Sequence, residues 1–395
     1  MNAVTIAPAK AAAPWQSLVA DFGSPLIVID CARLLQQYQQ LCDALPGVRH
    51  YFAIKALPHL SVLQTLAQAG AGFDLASSGE VDLLRQVAVS PRQTLYTHPI
   101  KRDSDIRSAL RFGCTTFVVD NPREMEKFLP YRQRVALLIR LSFPNPLAPV
   151  DLSRKFGCSP EQVPLLLKLS QRMGITVKGL SFHAGSQCPN SDNHVRAILT
   201  CAGLIRDSAR HLGGRGLGIL NIGGGFPVSY IDEVPSVHTF CSKIRTALTA
   251  LPDYVQIISE PGRYIAAPAA TSVSSIMGST LRHDCRWYYL DDGLYGSFSG
   301  QIYDGMRYPL TVFSDQRKHE NAVLSGPTCD SIDVIAENIA LPRLAMNDIV
   351  IGHQMGAYTI ASATDFNLFP RARSVVLNPP AEKTSINCFP RLRTL

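Results

Sequence analysis

The 395-residue sequence contains no apolar run long enough to span a bilayer, which removes a transmembrane helix from consideration. It contains no Cys-x-x-Cys pair either. Its 10 cysteines are scattered, so neither a zinc site nor a disulfide framework is indicated; no metal is expected, and a reducing cytoplasm fits. Charge is sparse: 17% of residues are charged, and a net charge of +7 is modest at this length. No basic block is interleaved with aromatics, so neither nucleic acid nor a membrane surface is an expected partner. The nucleotide-cradling patterns Gly-x-Gly-x-x-Gly and Gly-x-x-x-x-Gly-Lys-Ser/Thr are missing. The opening "MNAVTIAPAKAAAPWQ" lacks the basic start and apolar core of a signal peptide, and residues 1–15 read as a disordered tail.

What is present is a large apolar fraction, 46%, enough for one big domain or two moderate ones. Eight short β-prone runs recur: "VRHYFAIKA" (48–56), "AGFDLAS" (71–77), "TLYTHP" (94–99), "TTFVVDN" (115–121), "VALLIRLS" (135–142), "VKGLSFHAGS" (177–186), "LGILNIGGGF" (217–226) and "VQIISEPGR" (255–263). Between them lie segments such as "SVLQTLAQAG" whose apolar positions recur every three or four residues before a Gly or Pro. Strand then helix, eight times over, is the form of an α/β chain folded as a (β/α)8 TIM-type barrel, placed at 30–268. After about residue 270 the pattern changes to short strand-like pieces broken by Gly, Pro and Asp. Residues 16–29, with "PLIVID", and 269–395 are therefore assigned to an all-β domain, a sandwich or barrel.

Polar residues fall at the ends of the barrel runs: Lys55, Asp74, His98, Asp120, Arg140, His183, Gly223 to Gly225 and Glu260. Active sites of such barrels form at the C-terminal ends of the strands, so these side chains should converge. Lys55 closes an apolar run, "YFAIKALP", where a lysine either snorkels to solvent or is held for chemistry. "NIGGGFP" lets backbone N–H groups approach an anion, "HAGSQ" adds the Ser186 hydroxyl, and "EPGR" adds Gly262 and Arg263; together they suit a small phosphate. A lysine, a phosphate cradle, a histidine able to stack on a ring, and a carboxylate fit pyridoxal 5'-phosphate, which needs a Schiff-base lysine and an acid at its ring nitrogen. The residues alone leave that acid open between Asp74 and Glu260.

The motifs "YFAIKA", "GFDLASSGE", "SFHAGSQ", "NIGGGFP", "EPGRY", "YGSFSGQIYDG", "GPTCDSIDVI" and "GAYT" together resemble the pyridoxal-phosphate basic amino acid decarboxylases, ornithine decarboxylase above all, over roughly residues 20–375. The resemblance implies an alanine-racemase-like barrel followed by a β domain, and the following roles. Lys55 would bear the cofactor, Asp74 and Glu80 would support it, His183 would stack on the pyridine face, and Glu260 would pair with the ring nitrogen. Ser186, Gly224, Gly225, Gly262, Arg263 and Tyr358 would hold the phosphate. "CDSID" and "YDG" would reach the active site of the other subunit in a head-to-tail homodimer with shared sites. Cys329 would protonate the α-carbon, and Asp304 and Asp330, with Tyr303, would bind the distal ammonium of a small amino acid substrate.

Three positions depart from the pattern. "DLSRKFG" has Asp151 where related enzymes carry an arginine near the lysine, with Arg154 three positions on; Asn221 replaces a common aspartate, and Leu57 a common asparagine. Diaminopimelate decarboxylases carry C-E-S-x-D where this chain has "CDSID", and the shorter Asp330 suits a cationic amine. L-ornithine to putrescine, in polyamine biosynthesis, is the expected reaction, with L-lysine to cadaverine as a second. A diaminopimelate-type or siderophore-type decarboxylase is the alternative. A catalytically dead relative of the antizyme-inhibitor kind is the remote one, since Lys55, His183, Glu260, Arg263 and Cys329 are all retained.

Overall fold

Each of the eight apolar runs becomes a strand in the computed structural model, which describes residues 4–212 and 216–381. Two strands come first, β1 (Val4–Ala7) and β2 (Leu26–Asp30). The barrel follows: β3 (Arg49–Ala53), β4 (Gly72–Leu75), β5 (Thr94–Tyr96), β6 (Thr116–Val119), β7 (Ala136–Leu141), β8 (Thr176–Phe182), β9 (Ile219–Asn221) and β10 (Gln256–Ser259). Each pairs in parallel with the next, and β10 returns to β3 through Ile258 opposite Arg49, closing the ring. The strands read as continuous apolar runs because both faces are covered. Tyr51, Leu95, Val118, Leu138 and Ile258 cluster inside the barrel, while the alternate positions Phe52, Phe117, Leu137 and Ile139 join the larger core formed with the helices. Burying each such side chain contributes about 1.5–3 kcal/mol.

Local signals set the helices. Asp30 ends β2 and caps the helix Cys31–Ala44, its carboxylate accepting from the Ala32 N–H at 2.9 Å and the Arg33 N–H at 3.3 Å. That helix buries Leu34, Tyr38 and Leu41, three and four residues apart, on one side.

The β region contains β11 (Ala270–Arg282), β12 (Cys285–Leu290), β13 (Leu310–Phe313), β14 (His319–Ser325), β15 (Val334–Pro342), β16 (Ile349–Gly352) and β17 (Arg373–Leu377). With β1 and β2 they make a nine-stranded mixed sheet in the order β1-β13-β16-β11-β12-β14-β15, β2 pairing β11 and β17 pairing β2. A bulge between Ile276 and Gly278 separates the half of β11 that pairs β2 and β16 from the half that pairs β12.

The reading of residues 1–15 as a disordered tail needs correction from Val4 onward; residues 1–3 lie outside the described residues, as do 382–395 at the other end. β1 adds in parallel to β13, with Val4 opposite Leu310 and Ala7 opposite Phe313, and Val4 and Ile6 pack on the core. The helix Ala13–Phe22 follows, and its Trp15, Leu18 and Val19 cover a cluster of Leu26, Val28, Val273, Ile349, Ile351 and Val375. The segment is ordered because its few apolar residues meet a sheet most of whose strands lie 250 residues and more away.

Candidate active site

The barrel carries its polar residues to one mouth. Lys55 follows β3 by two residues, Asp74 lies within the neighbouring β4, His183 follows β8 directly, Gly223 follows β9 by two, and Glu260 follows β10 directly. Ala53 pairs with Asp74 across the sheet, and this register brings Lys55 Nζ to 3.0 Å from Asp74 Oδ2. Asp74 is fully buried and its second oxygen accepts from the Thr97 hydroxyl. Lys55 keeps 45% of its side-chain surface accessible although protein surrounds it, because it faces a cavity of about 230 Å³. Burial disfavours its ammonium, but the Asp74 carboxylate, helped by Glu260, outweighs that and holds it above the ordinary lysine range. Glu80 sits one layer behind: its carboxylate accepts from the Ala76 N–H, and burial, aided by Asp74, lifts its pKa to about 7.

The cavity has an anion-binding end. Arg263, 5% exposed, donates from Nε to Ser186 Oγ at 3.2 Å, from Nη1 to the Tyr230 hydroxyl at 3.2 Å, and from Nη2 to Asp304. Its guanidinium lies 4.9 Å from the centre of the Tyr358 ring, and Tyr358 holds φ at 56°, a strained value for a tyrosine. Burial opposes the charge, yet these partners keep its pKa above that of a free arginine. The Gly223–Gly225 turn forms the adjoining wall, with φ of 67° at Gly223 and 99° at Gly225. The amide N–H groups of Gly224 and Gly225 have no partner among the described residues.

Glu260 and His183 line the same cavity. Asn221, fully buried, accepts from the Gly223 N–H at 3.0 Å through Oδ1, which leaves its Nδ2 to donate to Glu260. Burial first and Asp74 second raise the Glu260 pKa, while Lys55 and the Asn221 bond oppose them. His183 is held neutral, first by burial and then by the charges of Arg140 and Lys55.

Of the residues singled out from sequence, Lys55, His183, Ser186, Gly224, Gly225, Glu260, Gly262, Arg263 and Tyr358 line this one cavity, with Asp74 and Glu80 behind it. Cys329, Asp330 and Tyr303 do not line it; Cys329 and Tyr303 are exposed on the β domain, and Asp330, half-buried there, accepts from the Tyr295 hydroxyl. Asp304 is engaged by Arg263. Asp151 and Arg154 are exposed, and Asp151 accepts from the N–H and the hydroxyl of Ser153 in its own turn. An arginine from elsewhere lines the cavity with Lys55: Arg140, at the end of β7, its guanidinium 5.4 Å from the Phe156 ring, which His98 meets edge-on. Arg140 and His98 stand out in the sequence only as strand-end residues; nothing there marks Phe156.

Residues 31–267 match the family described as the pyridoxal-dependent decarboxylase, pyridoxal binding domain. The chain belongs to this family. The curated lysine/ornithine decarboxylase of Selenomonas ruminantium is 33% identical, aligned over 93% of each chain. The crystal structure of lysine/ornithine decarboxylase from Vibrio vulnificus complexed with putrescine is 50% identical, superposes with a TM-score of 0.89, and covers 94% of this chain and 99% of the other. Antizyme inhibitor 2 of Xenopus laevis is 32% identical over 87% of this chain and 77% of its own. This pyridoxal-dependent decarboxylase is a carboxy-lyase whose cofactor is pyridoxal 5'-phosphate. Its residues fit that group: a lysine amine faces the cavity, a buried carboxylate is held by Asn221, and unpartnered glycine amides stand beside an arginine and a serine hydroxyl.

Proposed function

We propose that the protein decarboxylates L-ornithine to putrescine, with L-lysine to cadaverine as a second reaction, in cytoplasmic polyamine biosynthesis. The observation that carries this reading is one cavity holding Lys55 with its buried partner Asp74, the Glu260 carboxylate, and the anion-binding end at Arg263. Support for the substrate comes from likeness to the Vibrio vulnificus lysine/ornithine decarboxylase, of which structures with putrescine and with cadaverine exist. Family membership carries basic amino acid decarboxylation; the choice among basic amino acids is the proposal.

Bound pyridoxal phosphate supplies an electron sink for the bond broken as carbon dioxide leaves. Lys55 would hold the cofactor through Nζ, with Asp74 orienting that amine. Glu260 would hold a proton at the ring nitrogen, with Asn221 keeping the carboxylate aimed. His183, neutral, would stack on the ring. Ser186, Gly224, Gly225, Gly262, Arg263 and Tyr358 would hold the phosphate end.

The remaining groups come from a second copy of the chain in a head-to-tail homodimer. Cys329 of that copy would deliver a proton to the substrate α-carbon, and its Asp330 and Tyr303 would bind the distal ammonium together with Asp304 of the chain whose Arg263 engages it. Exposed apolar residues on the same domain, Leu368 at 87%, Tyr303 at 60% and Ile332 at 53%, support a subunit contact there. Ornithine and lysine differ by one methylene, worth about 1–3 kcal/mol or roughly 10–200-fold, so both should turn over. The test is product analysis after separate incubation with ornithine, lysine, arginine and diaminopimelate. Putrescine should form fastest and cadaverine second; agmatine or lysine as the main product, or no amine at all, would refute the assignment.

A further inference from the structure

The anion-binding end of the cavity is shaped by the Gly223–Gly225 turn, and all three of its carbonyls are held. The Gly223 carbonyl accepts from the Glu260 N–H at 2.8 Å and the Gly225 carbonyl from the Cys188 N–H at 3.1 Å. The Gly224 carbonyl lies 2.9 Å from Nε2 of His194. Two of these partners are backbone. The middle one is a side chain, and it assigns a task to a residue that nothing in the sequence brings forward.

His194 is fully buried on the helix Asp192–Leu212. Its ring stacks on Phe226 at 5.9 Å and meets Phe240 edge-on at 5.6 Å and Phe182 at 6.3 Å. A carbonyl only accepts, so Nε2 carries the proton; Nδ1 has no partner among the described residues. Burial keeps the ring neutral, pushing its pKa to about 4. An imidazole in an aromatic cage is costlier than an apolar ring of the same shape, and the one bond it makes is to the turn. That bond has a geometric result. In a trans peptide the C=O and the following N–H point opposite ways, so drawing the Gly224 oxygen toward the helix turns the Gly225 N–H away from it. Gly224 and Gly225 line the cavity, and the Gly225 N–H has no partner among the described residues.

We propose that His194 is a positioning residue for the phosphate cradle: its Nε2–H fixes the Gly224–Gly225 peptide so that the Gly225 N–H is presented to the cofactor's phosphate. The inference rests on the cofactor reading and adds to it a residue that touches neither cofactor nor substrate. Being neutral, His194 acts through geometry alone.

The test compares cofactor-free wild-type protein with His194→Phe, His194→Leu and His194→Gln, each shown folded by circular dichroism, using two probes. Pyridoxal 5'-phosphate engages the cradle; pyridoxal, which lacks the phosphate, does not. Phe and Leu keep the cage filled without a donor, and two apolar variants guard against a folding defect peculiar to one. Both should weaken pyridoxal 5'-phosphate binding about tenfold and leave pyridoxal affinity within twofold. Gln, which restores an N–H, should recover pyridoxal 5'-phosphate affinity to within threefold of wild type. Equal weakening of both probes, or unchanged pyridoxal 5'-phosphate affinity in a folded apolar variant, overturns the proposal. Wild-type protein that binds neither probe would instead overturn the cofactor reading beneath it.

Discussion

Replacing Asn221 by aspartate should make the protein lose more stability as pH rises than the wild type does, whose Glu260 carboxyl is already raised. Asn221 is buried, and its Oδ1 is committed to the Gly223 N–H at 3.0 Å, so only its donor side can face Glu260. An aspartate would keep the Gly223 bond and turn an acceptor toward another acceptor. Two unit negative charges about 4 Å apart interact by roughly 4 kcal/mol at an effective permittivity of about 20. That corresponds to about 3 pKa units, added to a carboxyl that burial and Asp74 already raise. The pair would therefore hold one proton well above the ordinary carboxylate range near 4. Because the folded pKa lies above the unfolded one, the folded state binds more protons in that window. Any stability linked to that proton is present at low pH and lost as pH climbs through the raised value. The assay is thermal unfolding of cofactor-free wild type and Asn221→Asp from pH 4 to pH 8. The Tm gap should be small at pH 4 and widen steadily toward pH 8. A constant gap would show that Asn221 does not face Glu260 as a donor.

Lys101, 3% exposed, donates to the carbonyls of His98, Pro99 and Val118 at 2.9, 2.8 and 2.7 Å. Lys101→Met should cost at least about 2–3 kcal/mol, read by chemical denaturation, because three acceptors lose their donor; a neutral outcome would deny those bonds. Mixing inactive Lys55→Ala with inactive Cys329→Ala protein should restore part of the activity, since a heterodimer regains one complete site. No recovery under conditions where subunits demonstrably exchange would count against a shared site. Removing residues 1–7, which carry β1, should lower Tm by stripping the partner from β13, whereas a disordered tail would leave Tm unchanged.

The barrel was legible because its eight strands are short, apolar on both faces, and end in polar residues that local chemistry alone explains poorly. Lys55, His183 and Glu260 announce themselves by interrupting an apolar run at its end. The rest depends on contacts that no local pattern encodes. The Arg263–Asp304 pair joins residues 41 apart, and β1 joins a strand some 300 residues on. Arg154 drew notice by its proximity in sequence to a familiar motif, whereas Arg140 reaches the cavity from a strand whose apolar neighbours make it look like packing. Asn221 was visible as a departure, but its effect on Glu260 required the amide orientation that the Gly223 N–H imposes. His194 gave no signal, because a histidine on an amphipathic helix is ordinarily just a core or surface residue.

The central claim is that the cofactor is carried by Lys55 at the mouth of the barrel. It is tested most directly by reducing the holoenzyme with borohydride and mapping the peptides. A pyridoxyl group on Lys55 is the predicted result; a label on any other lysine, or a chain that carries none after reconstitution with pyridoxal 5'-phosphate, would contradict it.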